Sequence, residues 1–212
     1  MLLSVNRPTT LRGEVTRQRI LEATLDLIAS DGMRSVNHRR VAREASASLG
    51  LITYYFESTE SLIVAALERL TELEVNRLTA LRVAAVGCAE DIDGLVRVLV
   101  DDVALRSYEA RRDTLAGTAL LLEIPRARVR RELFDSWEKA QIELYGSITA
   151  ALGSSDPDAD ALYLAAFLDG LSLYAAITIE PDNLAQAAAV GLRRALTAIM
   201  SDSASIGGDE AP

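Results

Sequence analysis

Cysteine and histidine are almost missing from this chain: Cys88 and His38 are single occurrences among 212 residues. One thiol closes no internal disulfide, which predicts a reducing, cytoplasmic setting. One thiol with one imidazole excludes His/Cys zinc frameworks and leaves little basis for a Cys–His catalytic pair. Lysine is also scarce, Lys139 standing alone among 22 basic residues. Arginine bonds both phosphates and guanine edges, although a GC-rich coding sequence explains so general a bias equally well. No uninterrupted apolar run approaches ~20 residues, so no membrane partner is expected. The opening MLLSVNRPTTLRGEVTRQR has no apolar core behind a basic start, so no signal peptide is expected either. Gly-rich phosphate loops, metal-ligand spacings and Ser/His/acid sets are lacking, and with them the case for an enzyme or a cofactor. Asp101 and Asp102 are neighbours in sequence only, because a helix splays adjacent side chains about 100° apart.

What is present is globular: half the residues are apolar and a quarter charged. The length suits one to two domains and a sizeable core. The net charge of −9 is unevenly spread. Residues 1–56 hold eight arginines against five carboxylates, whereas residues 57–212 hold 14 basic groups against 26 acidic ones. A basic head on an acidic body is compatible with nucleic-acid binding, since screening limits the body's repulsion to about 10 Å at ordinary salt.

Between the Ser-, Gly-, Pro- and Asp-rich ends, expected to be mobile, nearly every segment has helical period and no alternating strand is evident. Residues 14–30 put Ile20, Leu21, Thr24, Leu25 and Ile28 on one face, and Asp31-Gly32 stops that helix. Asn37 suits the N-cap of a short helix to about Ala45, Ser46-Ala47 turns the chain, and Ser48 caps a second short helix to about Tyr55. Ser58 caps a long helix ended by Gly87, and further helices follow over about 91–106, 109–124, from Pro125 to about Leu152, 158–179 and 183–200. Residues 161–177 are apolar nearly all round apart from Asp169 and Ser172. Such a helix is covered on several sides, either in an ordinary monomer core or against a second copy of the chain.

Three helices with a tight turn before the third describe a helix-turn-helix. The short helix after Ser48 has the size of a major groove, no acidic group, and hydroxyls at positions 48, 53, 54 and 55. Ile52 and Phe56, four apart, face its core. A plain helical hairpin fits the same pattern. The segment GMRSVNHRRVAREASASLGLITYYFESTESL, however, resembles the DNA-binding signature of the TetR family of bacterial transcriptional regulators. Gly32, Val41-Ala42, Ala45, Ser48, Gly50, Ile52, Tyr54, Tyr55-Phe56, Ser58 and Leu62 stand in matching register. The resemblance covers about residues 14–65, and the run Phe167-Leu-Asp-Gly-Leu171 is similar to a further feature of the family. Departures are Val36 for the usual Thr, Ser46 for the turn Gly, Thr53 for Tyr, and Thr59 for a phosphate-gripping Lys, so operator contacts would lean on arginine.

The resemblance implies an all-α protein: a helix-turn-helix head (1–58), a helical ligand-binding and dimerisation body (59–201) and a disordered tail (202–212). Asn37, His38 and Arg39 would approach the DNA backbone and groove edge, with Arg39 suited to a bidentate guanine contact. Ser48, Leu49, Gly50, Leu51, Thr53, Tyr54 and Tyr55 match DNA-facing positions. Arg7, Arg12 and Arg17 suit either an arm on the duplex or a disordered start. The body would bind a small, largely apolar inducer and pair into a homodimer through its last two long helices. Candidate ligand contacts are Leu99, Val103, Tyr108, Thr118, Phe134, Trp137, Gln141 and Phe167, with Leu120, Tyr145 and Tyr174 beside them. For each, a place in the plain core competes with a place on a pocket wall, because the two share composition. The run Arg126-x-Arg128-x-Arg130-Arg131 suits an anion site or a solvated helix face. The expected function is a repressor that binds a palindromic operator as a homodimer and is released by an inducer. The alternative is an architectural or division-control protein of the same fold without one.

Overall fold

The structure is a computed structural model that describes residues 10–123, 132–177 and 182–206, without the side chains at 133, 182–184 and 202–206. Arg7, the Arg126–Arg131 run and the outermost residues of both expected mobile ends lie outside the described residues. Among the described residues there are nine α-helices and no strand: α1 Leu11–Asp31, α2 His38–Glu44, α3 Leu49–Tyr55, α4 Thr59–Val86, α5 Ile92–Ser107, α6 Arg111–Glu123, α7 Glu132–Ala151, α8 Pro157–Ile177 and α9 Asp182–Ile206. A single 3-10 turn, Met33–Ser35, joins α1 to α2.

The chain forms two compact units, one of residues 1–73 and 112–134, the other of residues 74–111 and 135–212. The boundaries therefore fall inside α4 and α7 and between Arg111 and Arg112. In the first unit α1 buries the expected face, Ile20, Leu21, Thr24, Leu25 and Ile28, and α2 adds Val41 and Ala42. Ile52 and Phe56, fully enclosed, fix the inner side of α3, and Leu62, Ala66, Leu67 and Leu70 of α4 complete this core.

Capping side chains set the starts. Thr10 accepts from Gly13 N at 3.2 Å, Asn37 from Arg40 N at 3.0 Å, and Ser48 from Leu51 N at 3.2 Å. Ser58 and Ser61 exchange two hydrogen bonds, Ser61 N to Ser58 Oγ at 3.0 Å and Ser58 N to Ser61 Oγ at 3.1 Å, a capping box with serine in the usual Glu place. The turn between α2 and α3 holds Ser46 at φ 48°, the left-handed backbone for which glycine is the unstrained choice.

In the second unit α5 packs on both α8 and α9, and α8 on α9. α9 runs on through Ile206, past the end expected near residue 200. By length and composition alone α8 is apolar enough to cross a membrane, a test that the core helix of a soluble protein also passes, although Asp169 and Ser172 interrupt its apolar run. Both polar groups are satisfied within the unit, Ser172 by the Leu168 carbonyl at 2.8 Å and Asp169 by Arg106 and Gln141.

Candidate nucleic-acid interface

α3 is held by its inner side and presents the other. Leu49 (43%) and Tyr54 (60%) are exposed large groups, and Ser48, Gly50 and Thr53 are exposed beside them. Leu51 is half-buried. The Thr53 hydroxyl donates back to the Leu49 and Gly50 carbonyls at 3.2 and 3.0 Å. Gly50 has no steric reason within the chain: a Cβ there would meet no atom within 4 Å. Tyr55 differs from its neighbours. It is 6% exposed, its hydroxyl donates to the Gly13 carbonyl at 3.2 Å, and Tyr54 meets it edge-on with ring centroids 5.0 Å apart. Tyr55 thus ties the end of α3 to the start of α1 rather than pointing outward with Tyr54.

At the start of α2, Asn37 is exposed although its oxygen is engaged as the cap, Arg39 is exposed, and His38 is half-buried with Nε2 enclosed and without a hydrogen-bond partner. Arg40 turns away: it pairs with Asp31 and donates to the Ser35 carbonyl at 3.4 Å. Arg34 and Arg43, which sequence reasoning passed over, are exposed. Arg43 lies one helical turn from Arg39, so the i, i+4 spacing was the signal that marks them as one basic face.

The expected ligand contacts are divided between the two units. Thr118 and Phe134 belong to the first unit, the other six to the second. Leu99, Val103 and Trp137 are buried, Tyr108 is exposed, and Thr118 bonds back to the Thr114 carbonyl. Phe167 stacks on Tyr163 and lines a groove of about 830 Å³ between α8 and α9 with Asp160, Gly191 and Arg194. Gln141 enters a polar network that sequence missed. Its amide donates to Asp169 at 2.6 Å, and Arg106 takes the other oxygen of Asp169 at 2.9 Å. Nearby in chain and helix, Arg77 reaches Glu74 at 2.9 Å and Asp102 at 2.5 Å. Burial alone would loosen the Arg77 proton, but the two carboxylates outweigh it and raise the pKa. The Tyr145 hydroxyl, 1% exposed, is pushed up from 10.0 by burial first and by the charge of Asp169 second.

The sequence model "Bacterial regulatory proteins, tetR family" matches residues 20–66, and "Tetracyclin repressor-like, C-terminal domain" matches residues 89–201. The chain belongs to the TetR family. It is a transcriptional regulator of that family, whose members are not enzymes. Similar solved structures include a transcriptional regulator of Streptomyces coelicolor A3(2), 32% identical, covering 86% of this chain and 98% of that one, with a TM-score of 0.58. The multidrug binding protein EbrR in complex with malachite green is 28% identical, covering 84% and 96%, with a TM-score of 0.59. The HTH-type transcriptional regulator BetI of Proteus mirabilis is 28% identical over 82% of this chain and 86% of its own.

Proposed function

We propose that this TetR-family protein is a cytoplasmic repressor that binds a palindromic operator as a homodimer and is released by a small-molecule inducer. The outer face of α3 carries the reading: an acid-free row of Ser48, Leu49, Gly50, Thr53 and Tyr54, exposed beside the basic edge of α2. Residues 1–58 read DNA, with Arg39 as the guanine contact, Arg34 and Arg43 as phosphate contacts, and Tyr55 as the residue that fixes α3. The half-sites lie about one DNA turn apart, ~34–36 Å.

Residues 59–201 sense and dimerise. In favour of pairing, only a third of the apolar stretch of α8 is buried within the chain, and Leu162, Tyr163, Tyr174 and Ile177 of α8 stand exposed with Val190 and Met200 of α9. In favour of a ligand, EbrR, at 28% identity, binds malachite green. Leu99, Val103, Tyr108, Thr118, Phe134, Trp137, Gln141 and Phe167 remain the proposed contacts.

The test is a gel shift with duplexes from the DNA flanking the protein's own gene. One duplex retained over random DNA, with an affinity falling steeply as salt rises, supports the reading, and equal retention of all duplexes overturns it. A thermal-shift screen that begins with malachite green separates an inducible repressor from an architectural protein, because a ligand of the folded state raises its apparent stability.

A further inference from the structure

A small cavity lies wholly within the first unit, in the groove between α1 and α4, where each helix lends one face at i, i+3, i+4 spacing. Its volume is about 190 Å³. That is below the ~300–1,000 Å³ of pockets for drug-sized ligands and amounts to about six water molecules at ~30 Å³ each. Leu21 and Ala65, each 2% exposed, form its floor. Arg17 and Arg69 line it from opposite helices, with side chains 19% and 27% exposed. Glu14, Glu68 and Glu72 line it as well and are exposed. Positive charge therefore sits deep and negative charge at the rim.

Neither arginine is fully committed. Arg17 lies 3.9 Å from Glu14, and Arg69 lies 3.5 Å from Glu72 and 3.8 Å from Glu22, all longer than a good hydrogen bond. Nε of each is enclosed without a hydrogen-bond partner. Arg77, by contrast, meets its two carboxylates at 2.5 and 2.9 Å. Arg17 is nonetheless held in place, its guanidinium 5.7 Å from the centroid of the Phe56 ring. A lone anion would meet a lining of one net negative charge, and a lone cation would meet two guanidinia.

We propose that this cavity binds a small zwitterion with a carboxylate at one end and an ammonium at the other, as in a free amino acid. The carboxylate takes the forks of Arg17 and Arg69, whose planar donors match its two oxygens. The ammonium meets Glu14, Glu68 and Glu72, and the carbons between cover Leu21 and Ala65. The site needs neither operator nor inducer, so it can fail while the reading of the protein as a repressor stands.

Titration of the full-length protein with the unbranched amino acids from glycine to aminohexanoate, followed by NMR of the arginine Nε–Hε groups, tests it. One chain length is expected to bind at least ten-fold more tightly than acetate or methylammonium and to move the Arg17 and Arg69 signals. Arg17→Gln and Arg69→Gln are each expected to weaken that amino acid ten-fold or more, and either suffices if the other does not fold. Glu68→Gln is expected to weaken the amino acid but not acetate, because it removes an anchor for the ammonium alone. Arg97→Gln, at an exposed position of the second unit, is expected to change nothing. The proposal is overturned if no chain length outdoes acetate and methylammonium, or if the two arginine signals stay still. It is equally overturned if the arginine variants bind like the parent, if Glu68→Gln weakens acetate as much, or if Arg97→Gln weakens the amino acid as much as they do.

Discussion

Gly50→Ala separates stability from recognition at a single methyl group. Gly50 is the second residue of α3, exposed, with nothing within 4 Å of where a Cβ would stand. Alanine is favoured over glycine by up to about 1 kcal/mol inside a helix, and a first-turn position realises about half of that. For a chain of this length ~0.5 kcal/mol corresponds to a rise in Tm of about 1–2 °C. If glycine is kept because the duplex backbone comes close to α3, the same methyl obstructs docking, and a loss of ten-fold or more in operator affinity, about 1.4 kcal/mol, is expected. Thermal melting and fluorescence anisotropy on one protein preparation read both effects, with a random duplex as the control. A variant that melts higher and binds its operator as tightly as the parent would refute the close approach and move the interface off this face of α3.

Arg39→Ala is expected to weaken operator binding while the dimer persists on gel filtration, and to lower the salt slope by about 0.9 if the lost contact is a phosphate. An unchanged gel shift counts against it. Tyr55→Phe removes the bond to the Gly13 carbonyl and is expected to destabilise the protein by about 0.5–1.5 kcal/mol. Urea titration checks this, and a variant as stable as the parent shows the bond to be idle. Tyr145 binds its proton more tightly folded than unfolded, so its stabilisation is complete below pH 10 and falls as pH rises above it, by up to about 1.4 kcal/mol per pH unit. Tyr145→Phe should flatten that alkaline decline in denaturant midpoints between pH 9 and 11, and an unchanged slope would place the titrating group elsewhere. Gly191→Ala would put a Cβ 2.9 Å from Phe167 Cζ. The stiff ring must shift, at a cost of about 1–3 kcal/mol, and a Tm equal to the parent's would show that the α8–α9 contact yields freely.

Local chemistry was legible in the sequence. Asn37, Ser48 and Ser58 cap where their hydrogen-bonding habits place them, Ile52 and Phe56 point inward as their spacing requires, and Ser46 takes the left-handed backbone that a displaced turn glycine implies. Long-range chemistry was not. Arg106 and Asp169 are 63 positions apart and Tyr55 and Gly13 are 42 apart, and no local period registers such partners. Tyr54 and Tyr55 are adjacent and chemically equal, yet one faces outward and the other is tied to α1, because helix geometry turns neighbours about 100° apart. For the ligand candidates, burial selects Leu99, Val103 and Trp137 whether they line a pocket or fill a core.

Charge bookkeeping along the chain also misses what a duplex would meet. Residues 1–56 count a surplus of three arginines, but position decides which charges are available. Asp31 is neutralised by Arg40, and Glu14 has Arg17 at 3.9 Å. Glu22 and Asp26 are met by Arg112, and Glu22 by Arg69 as well, both supplied from beyond residue 56. Among the described residues of this segment, the carboxylate left without an ion pair is Glu44, against the exposed arginines 12, 19, 34, 39 and 43. Two of the four acids of α1, Glu22 and Asp26, are therefore cancelled by arginines imported from α4 and α6, and arginines 12, 19, 34, 39 and 43 of the segment stay open to solvent. Because fields are screened beyond about 10 Å, this local excess, rather than the overall −9, governs association with phosphate. An acidic protein can in this way present a strongly basic edge, and the salt dependence of its DNA binding should follow these exposed arginines one by one.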